Sequence, residues 1–143
     1  MGSYKRVLCA VDLTDDSRAV AAKAMALASA WQAEMRLLHV VEFVPIEPMS
    51  DSLVPVVQID DRAFDRAREQ LRQLASSSGL SPDSAVVVSG SVKAELLRQA
   101  REWQAELIVL GSRERHGLSI LINLTEDTVL HGACCDVLAV RVR

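Results

Sequence analysis

The sequence is poor in aromatic residues and in long apolar runs. Its 143 residues include two Phe, two Trp and one Tyr, yet half of all residues are hydrophobic. The core must therefore be built from Ala, Val, Leu and Ile, and a disordered chain is excluded. No apolar run approaches the roughly 18 residues that cross a bilayer, and the first run, Val7–Val11, is too short for a secretory leader. We expect one cytoplasmic domain over residues 1–143, with no membrane partner.

Cysteine and positive charge are also scarce. Lys and Arg number 16 against 19 Asp and Glu, so the net charge is −3, which excludes a globally basic surface for nucleic acid. The cysteines Cys9, Cys134 and Cys135 have no CxxC or Cys/His ligand spacing. We expect small core residues in a reducing compartment and no metal site.

Motifs that carry catalysis are missing. The sequence contains no HExxH, GxSxG or GxxxxGK[ST] pattern, and its three histidines are His39, His116 and His131. His39 stands inside an apolar run, where a hydrogen-bonded structural role is expected. Because a nucleophile needs a base and an orienting group beside it, the pattern favours a protein that is not an enzyme.

Short β-branched runs alternate with amphipathic stretches along the chain. Strands are predicted at Arg6–Val11, Arg36–Phe43, Ala85–Val88, Leu107–Leu110 and Val137–Val142. Helices are predicted after an N-cap at Thr14, from Asp60 or Asp61 to Ser78, at Val92–Trp103, and from Thr125 or Asn123 to His131. The second strand, Arg36–Phe43, is a nearly continuous apolar run, which is typical of a strand covered on both faces and favours a parallel sheet. The order predicts a doubly wound open α/β sheet with helices on both faces.

A long proline-containing segment follows the second strand. Val44–Gln58 contains Pro45, Pro48 and Pro55, and each proline pushes its predecessor toward extended backbone. Loops of this length are often lids or binding loops. A plain connection fits the sequence equally well.

Polar residues follow several of the predicted strands, where doubly wound sheets bind ligands. Asp12 either accepts hydrogen bonds from a ribose or caps a turn. Gly111 and Ser112 can bring a backbone amide and a hydroxyl to a phosphate, with Thr125 at a helix start as a second contact. Local sequence leaves both interpretations open.

Together these segments resemble a universal stress protein. The resemblance is carried by Tyr4–Asp12, the alanine-rich first helix, Arg36–Val41, Leu107–Ser112 and Cys135–Val140. It implies a five-stranded parallel sheet of the adenine-nucleotide alpha-hydrolase type, which is Rossmann-like. It also implies a homodimer with the C-terminal strand at its interface.

The nucleotide-binding pattern of that family is degenerate in this chain. Its three glycine positions fall on Gly111, Glu114 and Leu124, and its hydroxyl falls on Thr125. Glycines let backbone amides approach phosphate oxygens, so Leu124 obstructs the approach and Glu114 repels the phosphates. The sequence is most similar to the universal stress protein A type, and we expect weak or no ATP binding.

The resemblance leaves two functions open. The first is a non-enzymatic homodimer that acts in the stress response through contacts with an unidentified protein partner. The alternative is a sensor that binds ATP or AMP through the retained positions Asp12, Val41, Gly111, Ser112 and Thr125. An adenylating ligase or nucleotidyltransferase of similar fold would carry HxGH or SGGxDS, and neither is present.

Overall fold

Five parallel strands form one sheet in the order β3-β2-β1-β4-β5. The structure is a computed structural model that describes residues 4–42, 61–112, 132–133 and 135–141. The strands are β1 (Arg6–Ala10), β2 (Glu34–Val41), β3 (Ala85–Ser89), β4 (Leu107–Ser112) and β5 (Asp136–Arg141). The predicted five-stranded parallel α/β sheet is confirmed.

Among the described residues, three α-helices of more than ten residues cover the two faces of this sheet. They are α1 (Ser17–Ala30), α2 (Asp61–Ser77) and α3 (Val92–Trp103). The first two pack on one face, and α3 packs on the other. The predicted helix from Thr125 to His131 and the loop Val44–Gln58 lie outside the described residues. Among the described helices none is long and apolar enough to span a membrane.

The central strand β1 is buried on both faces. Val7 and Cys9 belong to the core beside α1 and α2, whereas Leu8 and Ala10 belong to the core beside α3. Adjacent side chains of a strand point to opposite faces, so a continuous apolar run is what a doubly covered strand requires. Burial raises the pKa of the Cys9 thiol to about 12, and the expectation that Cys9 is a core residue is confirmed.

The start of α1 differs from the prediction. Thr14 was expected to cap the helix, but the first helical residue is Ser17 and Asp16 occupies the N-cap position without a side-chain cap bond. The reason is that Asp12 accepts hydrogen bonds from the Thr14 backbone amide and hydroxyl, which holds Thr14 in a turn. A cap at Thr14 would also place Asp15 and Asp16 in the first helical turn, but both precede Ser17 and lie outside that turn.

The apolar pattern of the first helix predicts an inner face at Val20, Ala24, Leu27 and Trp31, and the buried residues of α1 differ from it in part. Val20 and Ala24 are buried as expected, but Leu27 is only half-buried and Ala28 takes the inner position. In α2 the pattern predicts an inner stripe at Phe64, Ala67, Leu71 and Leu74, of which Ala67 and Leu71 are buried and the other two are half-buried. In α3 the pattern left Leu96 and Leu97 as alternatives, and Leu96 is the buried one.

Strand boundaries move by one to two residues, while α3 has the predicted limits. β1 ends at Ala10 instead of Val11, and β2 begins at Glu34 instead of Arg36. β2 gains these residues because the Glu34 amide donates to the Lys5 carbonyl at 2.9 Å. β3 and β4 extend to Ser89 and Ser112, and β5 begins one residue earlier, at Asp136.

Tyr4 ties the start of the chain to the start of β5. Its hydroxyl donates to Asp136 Oδ2 at 2.5 Å, and its ring lies edge-on to Trp31 with 4.8 Å between centroids. The hydrogen bond to Asp136 raises the pKa of Tyr4 above its ordinary value. The last strand is thus held at its first residue by a residue near the other end of the sequence.

The end of α3 provides a stability prediction. Gln104 is exposed and follows the helix in the left-handed conformation, with φ 58°. This conformation costs about 1–2 kcal/mol for a residue with a Cβ, and glycine avoids that cost. Gln104→Gly is expected to raise the free energy of unfolding by about 0.5–1 kcal/mol, after the entropy cost of glycine is subtracted, as measured by urea unfolding.

The control is Gln70→Gly, because Gln70 is an exposed glutamine in the interior of α2. Glycine there is expected to lower the free energy of unfolding by about 1 kcal/mol. A loss of stability in both variants would contradict the conformational argument.

Candidate functional site

The candidate site lies at the carboxyl edge of the sheet, between β1 and β4. The chain passes from β1 to β2 on one side of β1, and β4 lies on its other side. Strand order therefore reverses at this point, which is where doubly wound sheets bind ligands. Ala10, the last residue of β1, pairs with Leu110 of β4 and Leu38 of β2.

Three of the five predicted site positions are described along this edge with their surroundings. Asp12 follows β1, Val41 ends β2, and Gly111 is a buried residue near the end of β4. Ser112 ends the same strand, which fixes its place in the backbone. Thr125 lies outside the described residues, as do Glu114 and Leu124.

Asp12 organises the turn that joins β1 to α1. Its Oδ1 accepts from the Thr14 backbone amide at 3.1 Å, the Thr14 hydroxyl at 2.7 Å and the Ser17 hydroxyl at 3.2 Å. Ser17 is buried and Asp12 is half-buried. Of the two roles left open by the sequence, the described geometry favours the turn-capping role.

The charge of Asp12 is stabilised by these bonds. Partial burial alone raises the pKa of the Asp12 carboxyl, but the bonds from Thr14 and Ser17 act in the opposite direction and prevail. The pKa of Asp12 therefore lies below its ordinary value. The result is an ionised carboxylate at the switch point with one oxygen engaged inside the chain.

Leu13 adds backbone strain beside Asp12. Its φ is 60°, although it is not glycine, and such a conformation costs about 1–2 kcal/mol. Its half-buried side chain packs against the core shared by α1 and α2. Packing on one side and the Asp12 turn on the other hold Leu13 in this conformation.

Val41 and His39 use their polar atoms within the sheet. The Val41 carbonyl accepts from the Gly90 amide at 3.1 Å, and Gly90 has φ 146°, which favours glycine. His39 Nδ1 lies 2.9 Å from the Val11 carbonyl. Because a carbonyl only accepts, Nδ1 carries the proton. The expected structural role of His39 is confirmed.

A polar groove opens beside the Asp12 turn. It has a volume of about 420 Å³ and lies between the start of α1 and the second half of α2. Sequence reasoning missed it because its two sides are about 55 residues apart along the chain. Its lining residues are Leu13, Thr14, Asp15, Ser17, Arg18, Gln70, Gln73, Leu74 and Ser77.

The described residues contain no candidate metal-binding cluster. Among them, no three His, Cys, Asp or Glu side chains are grouped to hold a metal ion. Cys9 is buried in the core as expected, Cys135 is only half-buried, and Cys134 lies outside the described residues.

The fold defines a Rossmann-like α/β protein, and comparisons with known proteins give its family. The profile of the universal stress protein family matches residues 3–141. The chain is 35% identical over 144 residues to universal stress protein A homolog 2 of Coxiella burnetii, covering 100% of this chain and 99% of that protein. This chain belongs to the universal stress protein family.

Two solved structures share the fold at lower identity. One is a universal stress protein in complex with cAMP, with a TM-score of 0.69, 21% identity and coverage of 97% of this chain and 98% of the other. The other is UspA of Lactobacillus plantarum, with a TM-score of 0.68, 22% identity and coverage of 99% and 100%. At these identities the likeness establishes the fold.

The lowered pKa of Asp12 provides a prediction about acid stability. Because the pKa is lower in the folded chain than in the unfolded one, ionised Asp12 stabilises the fold at neutral pH. That contribution is lost as the pH falls from the ordinary carboxyl pKa through the lowered one. Asp12→Asn is expected to reduce the unfolding free energy at neutral pH by about 0.5–1 kcal/mol, and the difference from wild type is expected to shrink in acid.

Chemical unfolding measured across this pH range tests the prediction. Asp65→Asn is the control, since Asp65 is an exposed carboxylate of α2 that takes no part in the Asp12 turn. A difference between Asp12→Asn and wild type that stays constant down to the most acidic pH would contradict the role of the charge.

Proposed function

We propose that this protein is a non-enzymatic, cytoplasmic universal stress protein that acts as a homodimer and through contacts with a protein partner. We also propose that it binds ATP weakly or not at all. The observation that carries the proposal is the position of β5 at the outer edge of the sheet. In the described chain β5 pairs with β4 alone, so its other edge offers backbone groups to a further strand.

The side chains of β5 suit a second copy of this chain. Val137, Leu138 and Val140 are half-buried, and Ala139 is exposed at mid-strand. Leu138 and Val140 lie on the face covered by α1 and α2. When two such strands pair antiparallel about a two-fold axis perpendicular to the sheet, each face continues into the same face of the partner. The apolar row of one copy then extends into the row of the other.

The role of β5 is tested by placing charge on this row. Leu138→Glu together with Val140→Glu is expected to weaken the dimer at least tenfold, because carboxylates of both copies meet at the seam and lose apolar contact. A tenfold change corresponds to about 1.4 kcal/mol. Light scattering at micromolar protein measures the mass directly.

Gln70→Glu with Gln73→Glu is the control, because it adds the same charge to an exposed face of α2. Leu138 and Val140 also touch the core, so Ala139→Lys supplies a variant whose changed side chain is exposed. It is expected to weaken the dimer while circular dichroism stays native. A monomeric wild type, or a dimer indifferent to all β5 variants, would refute the proposal.

Adenine-nucleotide binding is the second candidate. It is supported by the convergence of Asp12, Val41 and Gly111 on one sheet edge and by the related structure in complex with cAMP. Three features oppose it: Asp12 Oδ1 already accepts three hydrogen bonds, Glu114 is acidic, and Leu124 carries a side chain at a family glycine position. Nucleotide binding is therefore our second proposal, after dimerisation and contact with a protein partner.

ATP affinity separates the two candidates. The wild type is expected to bind ATP no better than high micromolar, and Glu114→Gly combined with Leu124→Gly is expected to bind about tenfold tighter, a gain of about 1.4 kcal/mol. The reason is that one repulsive carboxylate and one obstructing side chain are removed. Calorimetric titration measures both affinities.

Glu114→Gln is the matched control, because it removes the charge without introducing glycine. It is expected to recover only part of the gain. Submicromolar ATP binding by the wild type would favour the sensor function, and a folded double variant without improved affinity would refute the glycine argument.

A further inference from the structure

Two arginines meet at one tryptophan on the α3 face of the sheet. The guanidinium carbon of Arg36 lies 4.7 Å from the centre of the Trp103 ring, and that of Arg6 lies 5.8 Å from it. Arg6 Nη1 also donates to the Trp103 carbonyl at 2.7 Å. Trp103 is 9% exposed, and both arginines are half-buried. Cation–π contact with a buried indole fixes both side chains.

The two cations have no carboxylate partner in the part of the chain that is described. Glu34 pairs with Arg6 in the sheet register but forms no ion pair with it. Glu106 accepts from the Lys5 amide, and Glu102 is bonded to Arg98. Glu106 and Glu102 are thus hydrogen-bonded to other residues, and Glu34 is exposed to solvent.

Arg36 also has unused hydrogen-bonding capacity. Its side chain makes no hydrogen bond with any described residue, although a guanidinium carries five N–H donors in a planar fork. Arg6 uses one nitrogen on the Trp103 carbonyl, and this bond satisfies a carbonyl at the C-terminal end of α3. Two like charges held beside one ring are stabilised by an anion that reaches both.

We propose that Arg6 and Arg36, braced by Trp103, form a binding site for a small dianionic oxyanion of the phosphate type. A dianion suits two guanidinium groups that have no carboxylate partner among the described residues better than a monoanion does, and the guanidinium fork matches phosphate oxygens. The site stands at the amino ends of β1 and β2, the opposite end of the sheet from Asp12. It is therefore independent of nucleotide binding at the carboxyl edge and of pairing through β5.

Fluorescence of Trp103 reports on the site directly. The chain has two tryptophans, so a Trp31→Phe background leaves Trp103 as the only one. Sodium phosphate is titrated at about pH 8, where the dianion dominates, against sodium chloride at equal ionic strength. A saturable change with phosphate and none with chloride is expected.

Substitutions at Arg36 decide the assignment. Arg36→Gln is expected to weaken phosphate binding at least tenfold. Arg36→Lys keeps the charge but loses the planar fork, and it is expected to weaken binding several-fold. Arg72→Gln, an exposed arginine of α2 on the other face of the sheet, is expected to leave the affinity unchanged.

The proposal is overturned by a phosphate response that equals the chloride response. It is equally overturned by Arg36 variants that bind as tightly as wild type, or by an Arg72→Gln loss as large as that of Arg36→Gln. If Arg36→Gln does not fold by circular dichroism, the decision rests on Arg36→Lys and on Arg6→Lys, both of which retain the charge at the indole.

Discussion

Burial of β1 on both faces is the constraint on which the rest of the structure depends. Val7 and Cys9 are fully buried against one layer of helices, and Leu8 is buried against the other. With so few aromatic residues, the layers must come close to the sheet to leave no voids. The alanines on the inner side of α1, such as Ala21 and Ala24, allow that approach because each adds a single methyl group.

A strand that is buried on both faces leaves polar chemistry only at its ends. At the carboxyl end of β1 the chain must turn into α1 without leaving buried polar groups unsatisfied. Asp12 satisfies these groups because one of its oxygens accepts hydrogen bonds from the Thr14 amide and from two hydroxyls. The same turn places Leu13 in a left-handed backbone conformation. At the amino end, Arg6 meets the terminal carbonyl of α3. The central strand β1 thus has an arginine at its amino end and an aspartate just after its carboxyl end, each bonded to a backbone group near the end of a neighbouring helix.

Sequence periodicity was sufficient for the strands, the parallel sheet and the limits of α3, because these depend on local apolar patterns. Periodicity was insufficient where a hydrogen bond from outside a helix determines where that helix begins. The prediction that Thr14 caps α1 was wrong because the Thr14 amide and hydroxyl both donate to Asp12. The carboxyl-edge positions Asp12, Val41 and Gly111 followed from topology, whereas the Arg6 and Trp103 contact joins residues 97 apart and leaves no local signal in the sequence.

The Asp12 turn also supports the proposal that this chain binds ATP weakly or not at all. A ribose hydroxyl that donated to Asp12 Oδ1 would compete with bonds from Thr14 and Ser17 that already exist. Exchanging one hydrogen bond for another yields little free energy. Affinity would then have to come from the phosphate contacts. The family resemblance implies that glycines make those contacts, and at two of the three glycine positions this chain carries Glu114 and Leu124.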